Sequence, residues 1–114
     1  MRALTPLVAL AGLVGSATSA PAKEWRYCYG LVGTSHKFYT SHPFPAAQSA
    51  QTIEADFQRY LVQSGISGAH TGCPLGPDRH ALEGRIAYAD KYQRDDGNTP
   101  VHLDWPADEP VAAY

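Results

Sequence analysis

The side chains of this 114-residue chain best suited to nucleophilic or metal chemistry are five histidines, His36, His42, His70, His80 and His102, and two cysteines, Cys28 and Cys73. A metal centre needs ligands that converge at set spacings. No His-x-His or His-x3-His pair occurs here. His80-Ala81-Leu82-Glu83 puts a His and a Glu at i,i+3, where a helix would turn both toward one ion. Chance alone often produces that spacing on a helix surface, so His80 and Glu83 are the only metal candidates and no cofactor is expected. Cys73 lies just before an expected helix start, where the helix dipole would favour a thiolate, and His70 is three residues upstream. Ser35-His36 and Ser41-His42 are adjacent pairs in an expected hairpin, and adjacent side chains on a strand point to opposite faces, so neither is a ready nucleophile and base. No Gly-x-Ser-x-Gly elbow, phosphate loop or dinucleotide fingerprint occurs. No catalytic set assembles from these residues; a minor hydrolase or metal-dependent enzyme would use His70, His80, Glu83 or a thiol at Cys73.

The compartment decides between a reactive thiol and a bridge. Met1-Arg2 opens a short basic region, Leu7 to Gly15 is an apolar run, and Ser16-Ala17-Thr18-Ser19-Ala20 are small residues. The run is too short to span a bilayer, which takes about 20 residues. It has the length of a secretory signal core, with cleavage expected after Ala20. Residues 1–20 are therefore expected to be a signal peptide, residues 21–106 one domain, and residues 107–114 a flexible acidic tail. Such a chain would be secreted or periplasmic, with no membrane association after signal removal. In an oxidising compartment two cysteines most often bond to each other. The bridge would close 45 positions, a constraint of roughly 4 kcal/mol in the chain-entropy model. Loss of Arg2 takes Lys plus Arg from 9 to 8 against 11 Asp plus Glu, a formal charge of −3. With no basic cluster, the chain is not expected to bind nucleic acid.

The positioning elements follow from periodicity. Glu24 to Val32 alternates, with Trp25, Tyr27, Tyr29 and Leu31 on one face and Arg26, Cys28 and Val32 on the other. Lys37 to Ser41 is a second strand, ended by Pro43 and Pro45. Ala50, Ile53, Phe57, Tyr60 and Leu61 form a helical stripe from Ser49 as N-cap to Gly65 as stop. After a glycine-broken connector, Pro77-Asp78 opens a second helix. Its expected buried stripe is Ala81, Leu82, Ile86 and Ala89 with Tyr88 or Tyr92. Val101 to Trp105 reads as a last strand. The expected fold class is α+β: a small two-layer sandwich, a mostly antiparallel sheet of 3–4 strands covered on one face by two helices. Cys28 on the first strand would bond to Cys73 at the mouth of the second helix.

The aromatics concentrate on the strands. If both helices cover one face, some of Trp25, Tyr27, Tyr29, Phe38, Tyr39 and Trp105 lie on an open face and form a candidate binding surface for a protein or glycan partner. The same rings would otherwise fill the core or a homo-oligomer seam.

Tyr27-Cys28-Tyr29, Phe38-Tyr39-Thr40-Ser41-His42-Pro43-Phe44, Phe57, Cys73-Pro74 and the closing Trp105-Pro106 together resemble small exported bacterial paired-cysteine α/β domains of unknown function. The resemblance spans most of the chain after the signal. It implies the bridge and the topology and carries over no site. The expected function is a non-enzymatic binding or interaction module of the cell envelope or extracellular space. A small secreted enzyme inhibitor presenting a loop between Gly65 and Gly76 is the alternative of a different class.

Overall fold

The computed structural model describes residues 24–107. The expected signal peptide, and all of the expected tail beyond Ala107, lie outside the described residues. In chain order the elements are β1 (Trp25–Arg26), β2 (Tyr29–Val32), β3 (Lys37–Thr40), β4 (Phe44–Pro45), α1 (Ala50–Gln63), β5 (His70–Gly72), β6 (Leu75–Gly76), α2 (Arg79–Asp95) and β7 (Thr99–His102). The strands form two sheets, β5-β2-β3-β7 and β4-β1-β6, antiparallel throughout except for the β3–β7 pair. The α+β class is thus observed.

The two sheets are one bent sheet. Tyr29 faces Gly72 and Trp25 faces Gly76, so the register is unchanged across the gap and Cys28 falls opposite Cys73. These two form the disulfide. The sequence places Cys73 at the mouth of a helix; it lies instead between β5 and β6, six residues before α2 begins, and the bond staples neighbouring strands rather than helix to sheet. On the other flank the register slips. Tyr29 faces Thr40, but Arg26 faces Phe44, so His42-Pro43 together oppose Tyr27. That is a β-bulge, and it bends the strand that the sequence showed as continuous. Pro43 has no N–H for the ladder. Ser41 takes over: its N–H donates to Cys28 O at 2.8 Å, and its Oγ accepts from Cys28 N at 2.9 Å.

Strand alternation then fixes which face each helix covers. A Cβ on Gly30 would come 3.1 Å from Leu61 Cδ1 of α1. A Cβ on Gly76 would come 2.6 Å from Leu82 Cδ2 of α2. Gly76 faces Trp25, over which the Arg79 guanidinium of α2 stands 5.4 Å from the ring centroid. Cys28 and Gly30 therefore turn toward α1, whereas Trp25, Tyr27 and Tyr29 turn toward α2. The helices sit on opposite faces, not on one as the sequence suggested. The strand itself explains why: both its parities carry apolar side chains, so both faces need cover.

Both helix starts are capped by side chains. Ser49 accepts from Thr52 N, and Asp78 Oδ1 from Ala81 N at 2.8 Å. At the end of α1, Gly65 takes φ 83° and lets Ile66 N reach back to Leu61 O at 2.8 Å. The α1 stripe buries Ile53, Phe57 and Leu61 against Cys28 and Phe44. The α2 stripe differs from expectation: its buried residues are Leu82 and Asp90, and Tyr88 and Tyr92 point into solvent. The last strand starts earlier than the sequence suggested, because Thr99 N donates to His36 O and Leu103 N to Thr40 O. Trp105 leaves the sheet and folds back over α1, 5.1 Å from the Phe57 ring and 5.6 Å from that of Phe44.

Candidate functional site

A groove of about 620 Å³ runs between α1, the segment after β4, and Trp105. Its apolar wall is Trp105 and Tyr60, whose ring centroids lie 6.0 Å apart at 35°. Its polar rim is Gln48, Asp56, Arg59 and Gln63. Arg59 donates to Asp56 Oδ1 at 2.9 Å. An exposed i,i+3 pair such as this contributes about 0–1 kcal/mol to folding. Trp105 is held from behind by Phe44 and Phe57, and its backbone is tied down as well. His42 N donates to Trp105 O at 3.3 Å, and His42 Nε2 lies 3.0 Å from Pro106 O. The bulge that displaces His42 from the ladder thus anchors one wall of the groove.

On the opposite face, a cleft of about 200 Å³ opens between α2 and β7, lined in part by Thr40, His42, Glu83 and His102. His102 Nε2 lies 2.7 Å from Asp90 Oδ2; the aspartate side chain is 8% exposed and the histidine 64%. Asp90 Oδ1 is buried with no hydrogen-bond partner. A carboxylate behind an imidazole can orient a general base. Among the described residues His102 is hydrogen-bonded to no hydroxyl or thiol, and its bond to Asp90 ties β7 to α2. Beneath it, burial pushes the Tyr27 phenol above its ordinary value; Tyr29 and Asp90 add to the rise and Arg85 opposes it.

The residues singled out from sequence are scattered. Tyr27 and Phe38 are 6% and 4% exposed, so both leave the candidate binding surface and belong to the core. Trp25 and Tyr29 are half-buried beneath α2, with Tyr29 stacked on Phe38 at 5.9 Å. Tyr39 is half-buried in the middle of its sheet, between Gly30 and Val101. Trp105 alone of the six lines the groove. His70 stands on β5 opposite Leu31, while His80 and Glu83 are exposed on α2. Among the described residues no three His, Cys, Asp or Glu side chains are grouped to hold a metal ion. The Gly65–Gly76 segment is not a free loop, since it carries β5 and β6.

Tyr60, Asp56, Arg59 and Gln63 are site residues that the sequence does not single out, and Tyr60 fits the core stripe by its period. The signal was present: 56, 59, 60 and 63 follow i, i+3, i+4, i+7, a second row along α1 beside the buried one.

The formed disulfide fits an oxidising compartment. No helix among the described residues is long and apolar enough to cross a membrane. Comparison with protein-family models, with curated proteins and with solved structures finds no match.

Proposed function

We propose that this chain is exported, loses residues 1–20, and works as a non-enzymatic binding module that takes a glycan chain in the Trp105 groove. The observation that carries the reading is the pairing of two fixed aromatic faces with a rim of amide, carboxylate and guanidinium groups around one open groove. A pyranose ring has an apolar C–H face, which matches the electron-rich faces of Trp105 and Tyr60. Its edge carries neighbouring hydroxyls, which match planar polar groups such as those of Gln63 and Arg59. The mild negative charge and the lack of a basic cluster favour an uncharged polysaccharide over nucleic acid.

The test is co-sedimentation of the mature chain with insoluble cellulose, chitin and purified peptidoglycan. At least one should deplete it from solution. Arg59→Ala and Gln63→Ala, both on the exposed side of α1, should each release it while leaving the circular dichroism spectrum unchanged. Retention of both variants at wild-type level would move the ligand elsewhere, and no depletion by any of the three would remove the glycan reading.

A further inference from the structure

We propose that the cleft between α2 and β7 binds a primary alkylammonium group, the chemistry shared by a free aliphatic amine and a lysine side chain. The inference goes beyond the glycan reading and does not depend on it. The cleft measures about 200 Å³. Pockets for drug-sized ligands run to about 300–1,000 Å³, so this one has room for a single side chain or a small molecule. Pro43, Ile86 and Leu103 give it apolar walls, which suit the methylene stem of such a group.

Charge selects the head group. Glu83 lines the cleft, is exposed, and joins none of the ion pairs among the described residues. No Lys or Arg is among the residues that line it. Two histidines do. His42 has both ring nitrogens on carbonyl oxygens of its own chain, Pro43 O at 3.1 Å and Pro106 O at 3.0 Å. His102 is held through Nε2, 2.7 Å from Asp90 Oδ2. A carboxylate can only accept, so Nε2 carries the proton, and Nδ1 of the neutral ring keeps its lone pair. Asp90 Oδ1 is buried without a hydrogen-bond partner, so no second donor offsets the negative charge behind the ring. The cleft thus offers two acceptors, the Glu83 carboxylate and His102 Nδ1, in a negative field. An ammonium head matches them, with three donors and no acceptor. An alcohol or amide head would bring an acceptor of its own, and a carboxylate would be repelled.

Methyl carbon–proton correlation spectra of the labelled mature chain at about pH 8, above the ordinary histidine range, test this. Titrating n-butylammonium at constant ionic strength should shift the Ile86 and Leu103 methyl signals in a saturable way while the Trp105 indole signal stays in place. For so few atoms the dissociation constant should be on the order of 1–10 mM. The neutral analogue 1-butanol, with the same stem, should bind about fivefold more weakly or worse, because it forms no charge-assisted bond to Glu83. Glu83→Gln, at an exposed position, should keep the fold and weaken n-butylammonium by about the same factor. A blocked alanyl-lysyl-alanine peptide distinguishes the sources: binding tighter than n-butylammonium assigns the lysine of a protein partner, and binding no tighter assigns a free amine. Methyl signals that do not move with n-butylammonium overturn the proposal. So does 1-butanol binding as well as the ammonium, or an affinity indifferent to Glu83→Gln.

Discussion

The two faces of the sheet are built on different terms. Under α1 the contact is apolar: Phe57, Leu61 and Ile53 close on Cys28 and Phe44, with the Trp105 ring laid across the end. Under α2 the only fully buried apolar side chain of the helix is Leu82, and the remaining contacts are polar or aromatic: Asp90 to His102, Arg79 over Trp25, Arg85 to Leu75 O. Hydrophobic burial does not depend on direction, whereas a buried carboxylate depends on its one partner. The α1 face should therefore hold most of the stability, and the α2 face should be the one that responds to pH and to single polar changes.

The largest expected effect is on the α1 face. Phe57→Ala, at a fully buried position, should cost about 3–5 kcal/mol, near the whole stability of a small domain. Chemical denaturation would measure it; a loss below about 1 kcal/mol would remove the distinction between the faces. Breaking the disulfide comes next. Cys28→Ala with Cys73→Ala should cost about 2–4 kcal/mol by the same measurement, since the bridge closes a 45-residue separation at the bend of the sheet.

On the α2 face, His102→Ala should cost about 1–3 kcal/mol by leaving the Asp90 carboxylate buried without its partner. Adding Asp90→Leu should recover most of that loss, because an apolar replacement needs no partner. If the double variant is as unstable as the single, the carboxylate is not the cause.

The smallest effect is alkaline. The Tyr27 phenol is raised in the folded chain, so above about pH 10 the unfolded chain loses that proton before the folded one does. Its stability contribution is complete below pH 10 and falls as pH rises toward the folded value. Tyr27→Phe should flatten the melting temperature between pH 9 and 11 relative to wild type. An unchanged slope would place the alkaline sensitivity elsewhere.

What was legible in the sequence was local. Period-2 alternation separated Trp25, Tyr27 and Tyr29 from Cys28, and that division is the one between the two faces. Ser49, Gly65 and Asp78 marked helix limits because capping is a short-range matter. Sidedness was not legible, since alternation gives two faces without saying which helix covers which. The bulge at His42-Pro43 was hidden because it exists only in the pairing with Tyr27. The groove was half hidden for a related reason. Tyr60 satisfies the period of a core stripe, and only the return of Trp105 over α1 makes it a wall.

The two tryptophans of the described chain stand on opposite faces, Trp25 beneath α2 and Trp105 in the groove, and each gives one indole N–H signal in a nitrogen–proton correlation spectrum. Titrating soluble cello-, chito- and peptidoglycan-derived oligosaccharides into the labelled mature chain tests the binding claim directly. The Trp105 signal should shift in a saturable way with at least one of them while the Trp25 signal stays in place. A Trp105 signal that stays fixed with all three, or a shift confined to Trp25, would contradict it.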